Sequence, residues 1–178
     1  MITGVVWIAS ELPRALNRRA DATNMDRGSF TVVRVLTIAG AILAALAADQ
    51  DVGAYRVGLA GFAVAFGALW AGIGLRWWAF HALGRYFTFR VMTSADQPVI
   101  TSGPYRFLRH PSYLGILLAL LGIGLTYGNW ISVASLLILP SIGFVNRIRV
   151  EEGALATTLG IRYTSYAAGR KRLIPFVW

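Results

Sequence analysis

The chain has 178 residues, of which 56% are hydrophobic and only 14% are charged, whereas a soluble domain typically carries about 25% charged residues. This composition excludes intrinsic disorder and argues against a soluble domain. The net charge of +9 accompanies long apolar runs, so it indicates the basic cytoplasmic loops of a membrane protein and not a nucleic-acid-binding surface. The absence of cysteine excludes disulfides and cysteine-ligated metals, and two histidines are too few for a histidine-rich metal site.

The apolar runs predict five helices, because a bilayer core of about 30 Å needs about 20 helical residues. The runs are Met1–Leu12, Phe30–Ala48, Val57–Leu75, Tyr113–Tyr127 and Trp130–Val145. The first run is short and predicts a partial span; no basic residue precedes it, which argues against a cleaved signal peptide. The last two runs are separated by Gly128-Asn129, a turn signal that predicts a tight helical hairpin.

The basic residues fall on one side of this predicted topology. They cluster before the second run, between the third and fourth runs, and after the fifth. The alternate connections carry Asp49, Asp51 and Arg56, or only Gly128-Asn129. By the positive-inside rule the basic clusters face the cytoplasm. We therefore predict an integral protein of the plasma membrane (the inner membrane in a bacterium) whose active site faces the cytoplasm.

Two predicted cytoplasmic segments, Arg76–Pro111 and Asn146–Trp178, are longer than simple connections and are expected to carry function. Within the first, Leu83–Val91 alternates apolar and polar residues, which predicts an extended strand or an interfacial helix. In the second, apolar residues recur at helical spacing, which predicts an amphipathic helix broken near Gly160.

The charged residues of these segments allow two interpretations. Arg106 and Arg109 are either anchors at the membrane interface or parts of a site. Arg147 and Glu151 lie four residues apart and share a helix face, so they form either a plain ion pair or part of a site. Ionisable groups at membrane depth usually mark function, and Arg before Glu is the weaker order for a helix pair, so the residues alone favour the plain ion pair only slightly.

Two motifs carry a resemblance to a known family. They are TSGPYRFLRHPSYLG (Thr101–Gly115) and EEGALATTLGIRYTSYAAGRKRLIP (Glu151–Pro175). With these motifs the chain resembles the isoprenylcysteine carboxyl methyltransferases, within the integral-membrane methyltransferases that include phospholipid methyltransferases. The resemblance covers roughly Arg76–Pro175, with Leu159 where the family usually has Phe. It implies an all-α integral membrane protein of about five transmembrane helices. Residues 1–75 would form N-terminal transmembrane helices, and residues 76–178 a catalytic region with a helical hairpin at 112–147.

The resemblance also implies S-adenosyl-L-methionine as cofactor, S-adenosyl-L-homocysteine as product, and no metal. The implied cofactor-binding residues are Gln97, Pro98, Val99, Ile100, Tyr105, His110, Pro111, Ser112, Tyr113 and Glu151. Arg147 and Arg76 match arginines that hold the acceptor's carboxylate. The chain departs from the family at Gln97, where many relatives have His, and near Met92, where the family has a polar residue.

The chemistry of this cofactor suits these residue types. Tyrosine rings attract a sulfonium cation, and a carboxylate such as Glu151 accepts charge-assisted hydrogen bonds from an ammonium or a ribose hydroxyl. The helix that begins at Pro111 presents backbone N–H groups that favour an anion. An arginine holds a carboxylate with two parallel hydrogen bonds and stays charged.

The predicted function is methyl transfer to a lipophilic acceptor in the bilayer, a small molecule or a prenylated protein. Its acceptor group would be the carboxylate of a prenylcysteine-like, isoprenoid or lipid acid. A phospholipid or amine N-methyltransferase would keep Glu151-Glu152 but needs no arginine clamp. A nicotinamide enzyme similar to membrane sterol reductases shares an RHPxY-like segment, and Glu151-Glu152 argues against it. The dense motifs argue against a non-enzymatic membrane protein.

Overall fold

A computed structural model describes residues 23–88, 91–174 and 178 of the chain. The described part contains five α-helices: α1 (Ser29–Ala48), α2 (Leu59–Leu83), α3 (Pro111–Thr126), α4 (Trp130–Leu159) and α5 (Ile161–Ala168). Two 3₁₀ turns cover Gly84–Tyr86 and Gly103–Arg106. Two-residue strands, β1 (Thr23–Asn24) and β2 (Met92–Thr93), pair in an antiparallel ladder.

Among the described residues, α1, α2 and α4 are long and apolar enough to cross a membrane. Helix α3 has 16 residues, which span about 24 Å at 1.5 Å per residue. The predicted helical, integral-membrane architecture is therefore confirmed. The predicted span at 1–12 lies outside the described residues, and the count of five transmembrane helices stays a prediction.

The sequence predicts an apolar run that ends at Val145 and a helix that continues beyond it to include Arg147 and Glu151. Helix α4 continues without interruption to Leu159 and includes both Arg147 and Glu151. Polar residues suggested an exit from the bilayer, but their side chains find partners on other segments, so the helix has no reason to end there. It ends at Gly160, whose φ of 55° lies in the left-handed region that glycine tolerates. The predicted break near Gly160 and the helix after it are confirmed.

The described residues between 83 and 91 form neither the predicted strand nor the predicted interfacial helix. Helix α2 extends past the predicted Leu75 to Leu83, and a 3₁₀ turn follows directly. Residues 87 and 88 belong to no helix or strand, and residues 89 and 90 lie outside the described part. Leu83, Tyr86, Phe87 and Thr88 line a cavity, and because three of them are consecutive, this contact does not follow the alternation of the sequence.

The helices pack as two close pairs, α1 with α4 and α2 with α3, and α3 also packs on α4. Glycines allow backbone to meet backbone in both pairs. A Cβ atom at Gly72 would lie 2.4 Å from the backbone N of Ala119, and one at Gly40 would lie 2.7 Å from the carbonyl O of Ser135. Larger side chains would separate the helices of each pair.

Asn129 anchors the connection between α3 and α4. Its side-chain carbonyl accepts from the backbone N–H of Ile131 (2.8 Å), at the start of α4. Its amide group donates to the carbonyls of Ala47, Gln50 and Val52, where α1 ends. Asn129 is fully buried. The predicted turn at Gly128-Asn129 is therefore also a contact between the ends of three helices.

Candidate active site

The polar ends of α2, α3 and α4 enclose a cavity of about 200 Å³. Every predicted site residue except Pro111 lines it: Arg76, Gln97, Pro98, Val99, Ile100, Tyr105, His110, Ser112, Tyr113, Arg147 and Glu151. Pro111 is buried at the start of α3, directly beside these residues. Arg76 and Glu151 are 75 positions apart in the sequence, yet both line this cavity.

A chain of hydrogen bonds joins five side chains, of which Tyr113, Arg147 and Glu151 line the cavity. The Tyr113 hydroxyl donates to Glu151 Oε2 (2.6 Å) and accepts from Arg147 Nε (3.0 Å). Arg147 Nη1 donates to the Asp26 carboxylate and to Ser29 Oγ (2.9 Å). Arg147 is buried, with 4% of its surface exposed. The Tyr113 hydroxyl thus bridges Arg147 and Glu151, the predicted ion pair, and Arg147 forms an ion pair with Asp26.

The sequence analysis missed Asp26. This buried carboxylate accepts from Ser29 Oγ (2.9 Å) and from the Phe30 backbone N–H (3.2 Å), at the start of α1. Burial alone would raise its pKa, but the hydrogen bonds from Ser29 and Arg147 outweigh burial and lower the pKa below its ordinary value of 3.8. Asp26 therefore stays ionised at neutral pH. An acid just before an apolar run is a signal for a helix start, but it does not reveal the partner.

Glu152 holds three cationic or basic side chains together. Its Oε1 accepts from Arg109 Nη1 (2.7 Å) and lies 3.3 Å from His110 Nε2, and its Oε2 accepts from Arg172 Nε (2.8 Å). The backbone N–H groups of Arg109 and His110 donate to the carbonyls of Lys171 and Arg172, both at 2.9 Å. Glu152 therefore fixes the segment before α3 to α4 and to the residues after α5. Arg109, one of the two predicted interface anchors, is part of this cluster.

Arg76 is a buried side chain, with 5% of its surface exposed. Its Nη1 donates to Ser112 Oγ (2.7 Å), and its guanidinium lies 4.5 Å from the Phe80 ring centroid and 5.9 Å from that of Phe87. These contacts hold the side chain between α2 and α3 and not out toward the membrane interface.

Aromatic rings line the other side of the cavity. The His110 and Tyr113 rings stack with centroids 5.5 Å apart, and Tyr113 also stacks on Phe144 at 5.0 Å. Tyr166 donates to the Tyr105 carbonyl (2.8 Å), which ties α5 to the cavity. Burial raises the pKa of Tyr166 to about 12, and burial, followed by the nearby Glu151 charge, raises the pKa of Tyr105 well above 10.0. These two phenols therefore stay neutral at physiological pH.

The polar and aromatic groups that line the cavity suit S-adenosylmethionine. They include the carboxylate of Glu151, the aromatic side chains of Tyr105 and Tyr113, and residues 97–100. Val99 packs on the buried cluster of Leu159, Tyr163 and Tyr166, which gives this part of the cavity an apolar wall suited to an adenine ring. Within residues 23–88, 91–174 and 178, His, Asp and Glu form no group of three that could hold a metal ion.

Residues 63–157 match the family model of the isoprenylcysteine carboxyl methyltransferases (ICMT). The chain belongs to this family. The matched range contains the cavity residues from Arg76 to Glu151, but it contains neither Asp26 nor helix α5.

Three curated proteins illustrate the relationship. The chain is 32% identical to protein-S-isoprenylcysteine O-methyltransferase A of Arabidopsis thaliana over 96 residues, which cover 53% of this chain and 49% of that protein. It is 31% identical to the protein-S-isoprenylcysteine O-methyltransferase of Schizosaccharomyces pombe over 115 residues, 64% of this chain and 49% of that protein. It is 30% identical to the uncharacterized protein YpbQ of Bacillus subtilis over 81 residues, 46% of this chain and 48% of that protein. The chain spans about half the length of the curated relatives it matches.

Proposed function

We propose that the protein is an S-adenosylmethionine-dependent methyltransferase that esterifies the carboxylate of a lipophilic acceptor, a prenylcysteine or another isoprenoid or lipid acid. The main support is the meeting of Glu151, Tyr113, Arg147 and Arg76 around one cavity at the polar end of an apolar helical bundle. The family match and the names of the Arabidopsis thaliana and Schizosaccharomyces pombe relatives support the same reaction class.

In this proposal the cofactor-binding residues are those of the two motifs and of segment 97–100. When bound, S-adenosylmethionine supplies an electrophilic methyl group. Glu151 accepts hydrogen bonds from its ammonium or ribose hydroxyls, and the tyrosine faces attract its sulfonium. Glu152 takes no part in binding but holds Arg109 and His110 in place from behind, through the contacts described above. S-adenosylhomocysteine leaves as the product.

Arg147 and Arg76 would orient the acceptor's carboxylate. A carboxylate is already ionised and nucleophilic at neutral pH, so the reaction needs positioning and no general base. Correct positioning can supply about 7–11 kcal/mol of the barrier reduction. Phe30, Ile116 and Phe144 give the cavity an apolar part that suits the acceptor's tail. The tail can therefore remain among the helices while the carboxylate reaches the two arginines.

The proposal includes a topology of five transmembrane helices with the cavity at the cytoplasmic face. The basic residues on one side of the apolar runs support it. It also separates residues 1–75, which hold the N-terminal helices, from the catalytic region at 76–178.

A second candidate is N-methylation of a phospholipid or other amine. One observation favours it: the Arg147 guanidinium already pairs with the Asp26 carboxylate, which reduces its attraction for an acidic acceptor. The two candidates differ in the stability of their products, because a methyl ester is cleaved by alkali and a methylamine is not.

In the deciding experiment, the purified chain is placed in lipid nanodiscs and incubated with methyl-labelled S-adenosylmethionine. Three acceptors are compared: S-farnesylcysteine, its carboxamide, and phosphatidylethanolamine. We expect alkali-labile label on S-farnesylcysteine and none on the carboxamide, which has the same tail and no carboxylate. Alkali-stable label on phosphatidylethanolamine would replace the proposal with amine methylation. Failure of the chain to bind S-adenosylhomocysteine in calorimetry would remove methyl transfer altogether.

A further inference from the structure

Asp26 places a carboxylate of the chain itself on the arginine that is proposed to hold the acceptor. The pairing joins residues 121 positions apart, and it is buried on both sides, with 5% of the Arg147 side chain and 9% of the Asp26 side chain exposed. Asp26 lies outside residues 63–157, the range that matches the family. The contact is therefore a property of this chain that the family match does not assign.

The segment that carries Asp26 is fixed at several points. Strand β1 pairs with β2, and the Met25 backbone N–H donates to the Val91 carbonyl (2.8 Å). After Asp26, the Ser29 N–H donates to the Asp26 carbonyl (2.8 Å), and the Phe30 N–H donates to its side chain. These backbone bonds hold the segment on both sides of Asp26. The fixed backbone therefore places the Asp26 carboxylate beside Arg147.

Two of the arginines that line the cavity pair with carboxylates of the chain. Of the described residues that line it, Arg76, Arg109 and Arg147 carry guanidinium groups and Glu151 carries a carboxylate. Arg109 pairs with Glu152, and Arg147 pairs with Asp26. A carboxylate that approaches Arg147 therefore also approaches Asp26, and Glu151 lies beyond the intervening Tyr113 hydroxyl. The carboxylate of the acceptor and that of Asp26 would then both contact Arg147, and like charges so close together repel each other strongly in a buried site.

We propose that Asp26 is a specificity-determining residue of the acceptor site, the internal counter-ion that limits how tightly Arg147 holds an anionic head group. This inference rests on the proposed function. It accounts for two needs of the reaction. An acceptor carboxylate that is held too tightly is stabilised in the ground state and reacts more slowly. The ester product is neutral, so a buried guanidinium without Asp26 would lose its counter-ion at every turnover, which is costly.

The test compares ligands that differ only in charge. Dissociation constants are measured by calorimetry for S-farnesylcysteine and its carboxamide, with S-adenosylhomocysteine present, in the parent chain, Asp26→Asn and Ser29→Ala. Asparagine keeps the shape and the helix-start hydrogen bonding of aspartate and removes its charge. Ser29→Ala is the matched control, because it removes one hydrogen bond to Arg147 and one to Asp26 and leaves both charges.

We expect the parent chain to prefer the carboxylate by less than about tenfold, and Asp26→Asn to increase that preference by about tenfold or more. In methylation assays Asp26→Asn should lower both KM for S-farnesylcysteine and kcat. Ser29→Ala should keep the preference of the parent chain, and the affinity for S-adenosylhomocysteine should stay the same in all three. A merely structural role for Asp26 would not move KM and kcat downward together.

Two results would overturn the inference: an unchanged preference in folded Asp26→Asn, or a parent chain that already prefers the carboxylate by far more than about tenfold. The second result needs no variant, so it decides the matter even if Asp26→Asn does not fold. Oleate and oleamide are measured in parallel. A parent chain that binds this pair but neither prenylcysteine ligand limits the proposed acceptor class to lipid acids, and its preference for oleate over oleamide then decides the role of Asp26. A parent chain that binds none of the four ligands overturns both proposals.

Discussion

At the scale of single residues, Glu151 and Glu152 are neighbours in the sequence but contact different groups. Glu151 lines the cavity and accepts from the Tyr113 hydroxyl, whereas Glu152 pairs with Arg109 and Arg172. Adjacent residues on a helix point about 100° apart, so one helix turn presents one acid to a ligand and the other to the protein. This geometry supports the proposed binding role of Glu151 and indicates a structural role for Glu152.

We predict that Glu151→Gln weakens the binding of S-adenosylhomocysteine by about 10- to 100-fold, because a charge-assisted hydrogen bond contributes about 1.5–3 kcal/mol. Calorimetry on the purified variant measures the loss. Asp96→Asn is the control, since this exposed acid lies close to the predicted cofactor segment in sequence and should leave the affinity unchanged. Full-strength binding by Glu151→Gln would remove Glu151 from the site.

We also predict that Arg147→Lys loses most methylation activity while its affinity for S-adenosylhomocysteine changes by less than about threefold. Lysine keeps the charge beside Asp26 but lacks the planar fork that orients a carboxylate. Turnover is measured with S-farnesylcysteine. Arg149→Lys makes the same exchange at an exposed position two residues away and should retain activity. Near-normal turnover in Arg147→Lys would show that this arginine does not orient the acceptor.

At the scale of helices and their connections, the turn between α3 and α4 depends on one side chain. We predict that Asn129→Ala lowers the free energy of unfolding by about 3 kcal/mol, because α4 loses its N-terminal cap and buried carbonyls at the end of α1 lose their donor. Unfolding in mixed micelles measures the change. Asn146→Ala, at an exposed position of the same helix, should change it by less than about 0.5 kcal/mol. Equal stability of the two variants would contradict this role.

The apolar runs were sufficient to predict where α1 lies and where α2 begins, because a long run with at most one charged residue has few structures other than a membrane helix. They did not reveal the true end of α4. Arg147 and Glu151 resemble the polar edge of a membrane span, and only the partners supplied by Asp26 and Tyr113 keep them inside the protein. The motifs led to the cavity residues from 97 to 113. Asp26 could not be assigned from sequence, because its role depends on tertiary packing.

At the scale of the whole molecule, the cavity must open toward the side of the membrane that supplies its cofactor. We predict that a cysteine at Ser102, an exposed position within the first motif, is labelled by an impermeant thiol reagent only after the cells are opened. The chain has no cysteine of its own, so the signal is specific. Asp51→Cys, exposed in the opposite connection, should be labelled in intact cells. The reverse pattern would invert the proposed topology.

The close contact between α2 and α3 has a consequence for how acceptor range changes during evolution. A Cβ atom at Gly115 would lie 2.7 Å from the Gly72 carbonyl O, and one at Gly122 would lie 2.5 Å from the Ala65 carbonyl O, so these two helices behave as one stiff body. That body carries Arg76 and Ser112, and it cannot widen to admit a bulkier acceptor. Adaptation to new acceptors is therefore expected on the opposite side, in α1 and residues 23–28. Helix α1 and residues 23–28 precede the matched range of 63–157. A comparison of relatives over that range alone would therefore miss these adaptive changes.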